Sequence, residues 1–115
     1  MQKSDFVRIQ HTLDAAHKIR EFIQGKNRVD LESDDLLSFA VVRALEIVGE
    51  AVKQISDDVK KAHPQIEWAE IGAARNRLIH GYFDVDLDIV WAIVTKDIPR
   101  LISKLERIVE TDESQ

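Results

Sequence analysis

The chain has 115 residues, 44% hydrophobic and 32% charged, so a single domain can bury a core without disulfides or metal. It holds no cysteine, which excludes disulfide frameworks, thiolate zinc sites and cysteine nucleophiles together, and fits a reducing cytoplasm. A net charge of −5 argues against a general nucleic-acid coating protein, but not against an enzyme acting on RNA, which needs only a local positive site.

The N-terminal stretch MQKSDFVRIQ has no apolar signal region, and no segment is long enough to cross a membrane, so a cytoplasmic protein is expected. Apolar residues recur at helical spacing, which predicts four helical segments and no strand. The first opens at Ser4 or Asp5, stops near Gly25 and buries Phe6, Ile9, Leu13, Ala16, Ile19 and Ile23. His11 and His17 on it are not at metal-binding spacing, and Asp14 is a local partner for either. A polar linker, KNRVDLE, follows.

The second helix is expected from Ser33 to about Lys61. Leu37, Val41, Leu45, Val48, Val52, Ile55 and Val59 form one row, and Ala40, Ala44, Ile47 and Ala51 form another beside it. So wide an apolar surface marks a helix that is central to the bundle or shared with a second chain. His63 lies in a loop before Pro64, and a third helix runs from about Glu67 to His80, ended by Gly81. The fourth begins at an N-cap near Asp86 and buries Leu87, Val90, Trp91 and Val94. At Pro99 it either kinks or gives way to a fresh helix from Thr95, and Leu101, Ile102, Leu105, Ile108 and Val109 continue the apolar face.

Asp84, Asp86 and Asp88 alternate as at the start of a calcium loop, but Ile89 and Thr95 stand where its glycine and final glutamate belong. Capping by Asp86 and solvation of the others is the better reading. The expected fold is an all-α, up-and-down bundle of four or five helices, one domain over 1–110, with an acidic tail over 111–115.

The segment RNRLIHGY, positions 75–82, carries the chemistry. On a continuous helix Trp68, Ile71, Arg75, Leu78 and Ile79 share a stripe, and an arginine there is costly unless paired. Glu50 is one candidate partner. Asn76 stands four residues before His80, so its amide can fix the imidazole tautomer. The end of the helix dipole would raise the His80 pKa and suit it to general acid–base work. A guanidinium such as that of Arg75 binds phosphate oxygens through paired hydrogen bonds and stabilises developing charge. Arginine plus histidine, with no metal ligand and no cofactor, is a minimal kit for cleaving RNA, since the ribose 2′-OH supplies the nucleophile. Arg75 could equally be a structural ion pair and His80 an ordinary helix-end residue; spacing does not decide between them. Arg77 adds a second positive charge that contacts RNA or is solvated, and Lys60, Lys61, Lys96 and Arg100 offer further positive potential.

Arg75-Asn76-x-x-x-His80 resembles the R-x4-H motif of the HEPN superfamily, and His80-Gly81-Tyr82 extends it to the R-x4-H-x-Y of the HepT branch. RALEIVGEAVKQIS, HPQIEWAEIGAARNRLIHGYF and VDLDIVWAIVTKDIPRLISKLE are similar to that branch over most of 36–106. The resemblance implies a toxin of a toxin–antitoxin pair, acting as a metal-independent endoribonuclease. It also implies a homodimer whose two motifs face each other across a cleft. By the motif match Arg75 binds the scissile phosphate, His80 handles protons and Asn76 orients the site. The branch's partner is a minimal nucleotidyltransferase antitoxin that adds AMP to the motif tyrosine, here Tyr82. The alternative is a non-enzymatic subunit of a nucleotidyltransferase complex, binding a nucleotide or substrate in the same cleft without cleaving it.

Overall fold

The computed structural model describes residues 1–80 and 84–113, with only the backbone described at Ile79, His80 and Glu113. Helix α1 spans Lys3–Ile23, α2 Asp30–Ser33, α3 Asp35–Lys53, α4 Asp57–Ala62, α5 Trp68–Gly72 and α6 Ala74–Leu78. Strands β1 (Ile79–His80) and β2 (Asp84–Val85) form a two-residue antiparallel pairing. Helix α7 (Leu87–Ala92), a π-helical turn (Ile93–Asp97) and α8 (Ile98–Glu113) complete the chain. The protein is an all-α bundle, as its periodicity predicts, and no helix is long and apolar enough to cross a membrane among the described residues.

The long helices follow their apolar rows. In α3 the row Leu37, Val41, Leu45, Val48 and Val52 is buried against α1, and Ile9, Leu13, Ala16 and Ile19 answer it. Helix α8 closes the other side of α1 with Leu101, Ile102, Leu105 and Ile108. The second row of α3 is only partly covered: Ala44 is buried, Ala40 and Ala51 are half-buried and Ile47 is exposed. Leu36 and Phe39 stand 80% and 74% exposed on the same helix.

Four boundaries differ from the periodicity. Helix α1 starts at Lys3 with no side-chain cap, because Asp5 turns inward: its carboxylate accepts from the Ser56 N–H and from the Ser56 hydroxyl, both at 2.8 Å. That bond also explains the break in the expected helix 33–61, since Ser56 caps α4 by accepting from the Val59 N–H. The start of α3 is capped by Asp34 rather than Ser33, with the Leu37 N–H at 3.2 Å. The linker after Gly25 contains α2, whose Leu31 is buried in the core. Gly25 itself has φ +75°, the left-handed conformation glycine adopts after a helix end.

Asp86 is the N-cap of α7, accepting from the Asp88 and Ile89 N–H groups, and Asp88 pairs with Arg28 at 2.8 Å. Pro99 does not break the chain into two helices. The turn before it widens, so that the Ile98 N–H reaches back five residues to the Ile93 carbonyl, and α7 and α8 remain joined. A wide turn relieves the clash that a proline ring makes with the carbonyl four residues earlier. Helix α8 continues through Glu113, with the Thr111 hydroxyl donating to the Arg107 carbonyl.

Candidate functional site

The site is positioned by a close crossing of α3 with α5. A methyl group placed at Gly49 would lie 3.4 Å from the carbonyl oxygens of Ile71 and Gly72, and one at Gly72 would lie 3.3 Å from Lys53 Cγ. At Gly49 the two backbones come close, and at Gly72 the space is taken by the Lys53 side chain. Trp68, buried beneath α5, fixes the start of that helix by donating its indole N–H to the His63 carbonyl at 2.9 Å.

Ala73 then leaves α-helical geometry, with φ −94° and ψ 7°, and α6 restarts at Ala74. This corrects the single stripe expected over 67–80. Trp68 and Leu78 are buried, whereas the Arg75 side chain is 65% exposed. Its partner is Glu46, not Glu50: Arg75 Nε lies 3.7 Å from Glu46 Oε2. Glu46 also faces Arg43 Nη1 at 3.9 Å and is itself only 22% exposed. Glu50 is exposed and lines a groove with Arg8 and His11. The crossing contains the missed signal. Three residues before Gly49 falls opposite three residues after Gly72, which sets Glu46 beside Arg75.

Asn76 is exposed on α6, and its N–H donates to the Ala73 carbonyl at 2.9 Å. The helix ends at Leu78, so His80 lies two residues beyond it, in β1, paired through the backbone with Asp84. Asn76 and His80 therefore do not share a helical turn, and His80 stands beyond the end of α6. The Leu78 carbonyl accepts from the Asp86 N–H at 2.7 Å, tying this corner to the start of α7. Tyr82 and Gly81 lie outside the described residues.

Arg77 points to the other side of α6, where it pairs with Asp97 of the π turn at 3.6 Å. Beside this pair a cleft opens between α5–α6 and the π turn, lined by Ile71, Ala74, Ile93 and Leu101 and rimmed by charged groups including Glu67, Glu70 and Arg100. The Glu70 carboxyl is held above its ordinary range, first by a hydrogen bond with Glu67 and then by that neighbour's charge. Of the other residues singled out in the sequence, His11, Lys61, Lys96 and Arg100 are exposed, and His17, Lys60 and His63 are half-buried.

The described residues form an all-α bundle, and the sequence carries R-x4-H-x-Y from Arg75 on α6, which is the pattern of the HEPN class. Within that class the chain belongs to the HepT-like ribonuclease family, whose profile matches residues 12–108. It is 41% identical over 108 residues to a Thermococcus cleftensis protein named "Probable ribonuclease HepT", covering 94% of this chain and 98% of that one. It is 35% identical over 104 residues to a protein of Caldanaerobacter subterraneus subsp. tengcongensis named "Putative RNase", covering 90% of this chain and 93% of its relative. No solved structure matches.

Proposed function

We propose that this chain is a metal-independent endoribonuclease, the toxin of a toxin–antitoxin pair, cleaving cellular RNA in the cytoplasm. The observation that carries the reading is the Arg75 guanidinium, 65% exposed and tethered by a half-buried glutamate, five residues before His80 in a chain of this family. In the reaction the ribose 2′-oxygen attacks the adjacent phosphorus and His80 takes its proton. Arg75 stabilises the charge gathering on the phosphate oxygens, and the bond to the 5′-oxygen breaks as that oxygen takes up a proton. The products are a cyclic phosphate and a 5′-hydroxyl. No cofactor enters this scheme, and Asn76 orients the site from its exposed position on α6.

The active form is a homodimer with the two motifs facing each other. The exposed Leu36, Phe39 and Ile47 on α3, the helix that also carries Glu46, support a second copy on that side. A minimal nucleotidyltransferase antitoxin adds AMP to Tyr82, two residues from His80. The added phosphate repels RNA and fills its site.

The test is RNA cleavage by the purified protein in EDTA, alongside His80→Ala and Arg75→Lys variants with unchanged circular dichroism. Loss of cleavage in both, with cyclic-phosphate or phosphate 3′ ends from the parent, is expected, because lysine cannot make the paired contact. A folded dimer that cleaves no RNA overturns the nuclease and leaves a binding subunit. Sedimentation of Phe39→Asp, expected to be monomeric, checks the dimer separately.

A further inference from the structure

We propose that the cleft between α5–α6 and the π turn seats a nucleotide of single-stranded RNA next to the scissile phosphate, its base laid across the apolar floor and its phosphate on Arg77 and Arg100. This rests on the ribonuclease reading and adds to it a substrate-binding surface that the R-x4-H motif does not contain.

Three features converge there. The cleft is shallow, with about 60 Å³ of enclosed space, which suits a base lying across the mouth rather than one swallowed whole. Its floor is aliphatic: Ile71 is half-buried, and Ile93 and Leu101 are almost fully buried beneath it. A flat base can cover such a floor without leaving a polar group unpaired.

The rim holds three charges of each sign, and one of its cations has no partner among the described residues. Arg77, Arg100 and Lys104 stand against Glu67, Glu70 and Asp97. Asp97 is answered by Arg77, and Glu67 and Glu70 stand beside each other at the start of α5. Lys104 donates to the Gln65 carbonyl at 2.7 Å, a neutral partner that leaves its charge in place. Arg100 is exposed and has no hydrogen-bond or ion-pair partner among the described residues. In a chain of net charge −5, an arginine without a partner among the described residues, at the rim of an apolar cleft, is a cation placed to meet a phosphate.

Position makes this cleft part of the same strand path. Arg75 and Arg77 lie on one short helix and point to opposite sides, Arg75 toward Glu46 and Arg77 toward Asp97. A strand crossing the end of α6 with one phosphate at Arg75 brings its neighbour to Arg77 and the cleft.

The experiment uses the full chain and a fluorescent single-stranded RNA with 2′-O-methyl groups throughout, which cannot be cut. Arg100→Glu is expected to weaken binding about tenfold and to lower the slope of log affinity against log salt by about one. Arg107→Glu, the same charge change farther along α8 and outside the cleft, is expected to change affinity less than about twofold. Photo-crosslinking with 4-thiouridine is expected to mark peptides within 67–77 and 93–104. Equal losses in the two variants, no loss in Arg100→Glu, or crosslinks elsewhere overturn the cleft, as does dissociation of a dimer by Arg100→Glu. A parent that binds through Arg100 yet never cleaves unmodified RNA removes the nuclease and keeps the cleft. A parent that cleaves with Arg100→Glu unaffected removes the cleft alone.

Discussion

Arg75 Nε and Glu46 Oε2 lie 3.7 Å apart, with the arginine 65% exposed and the glutamate 22% exposed. The carboxylate is anchored in the bundle while the guanidinium reaches solvent, so Glu46 acts as a tether more than as a stabilising partner. An ion pair this open contributes at most about 1 kcal/mol. Glu46→Gln is therefore expected to leave thermal stability almost unchanged while lowering kcat for RNA cleavage roughly threefold to tenfold through lost orientation. Paired melting and steady-state kinetics check it; a fall in stability with kcat intact would make Glu46 structural.

Asp5 joins two parts of the chain 51 residues apart and is only 4% exposed. Asp5→Ala strands the Ser56 N–H and hydroxyl in a part-buried position, at an expected cost of about 1–3 kcal/mol. Ser56→Ala removes the hydroxyl and the cap of α4 but keeps the N–H bond, and is expected to cost less, about 1 kcal/mol. Urea denaturation of both singles and the double is expected to show non-additivity, because the two changes share one hydrogen-bond pair.

The α3–α5 crossing sets a steric limit at Gly49. A methyl there meets the Ile71 and Gly72 carbonyl oxygens at ordinary contact distance, and alanine is the better helix former by roughly 0.5–1 kcal/mol. Gly49→Ala is expected to fold with stability within about 1 kcal/mol of the parent. Gly49→Leu drives α5 from α3, and should destabilise by about 1–3 kcal/mol. It should also cut RNA cleavage more than Asp5→Ala does at matched stability, since α5 leads directly into α6 and Arg75.

Much of this was legible in the sequence because apolar spacing reports burial directly: the rows of α1, α3 and α8 were readable, as was the Asp86 cap, although Phe6, Ile23 and Val109 at the ends of those rows are half-buried. The segment 67–80 was not. Helical spacing puts Arg75 on the same stripe as Trp68 and Leu78, and nothing in the local pattern announces that Ala73 departs from helical geometry. Ala73 comes directly after Ile71 and Gly72, the residues that α3 approaches most closely at Gly49. Glu46 was hidden for the same reason, its role being set by a crossing between distant segments. Asp5 misled in the opposite direction: aspartate near a helix start is a good cap, yet here the side chain holds Ser56, the N-cap of a different helix.

The Glu67–Glu70 pair gives stability a pH dependence. Glu70 is raised above its ordinary value of 4.5, chiefly by the hydrogen bond with Glu67. The contribution of the protonated pair is thus complete below that ordinary value and is lost as pH rises through the higher, folded-state value. Relative to the parent, Glu70→Gln is expected to be no more stable at pH 4 and more stable at pH 7, read as a difference in Tm that changes across that interval. A constant difference would place the two carboxyls out of contact in solution.

The π turn before Pro99 has a consequence for chain length. Buried positions spaced four apart, such as Val90, Val94 and Ile98, drift around an α-helix by about 40° at each step. Two steps would carry Leu101, Ile102 and Leu105 nearly a quarter turn away from α1. The wide turn takes that drift back, acting as a phase corrector between the half of the rod that packs on α6 and the half that packs on α1. Deleting one residue within 93–97 would remove the wide turn and keep the phase: five residues of a π turn and four of an α turn advance by nearly the same angle, so α8 would still face the core, but Pro99 would then meet the carbonyl four residues before it. The wide turn is what lets one rod carry a proline and still serve two walls of the bundle.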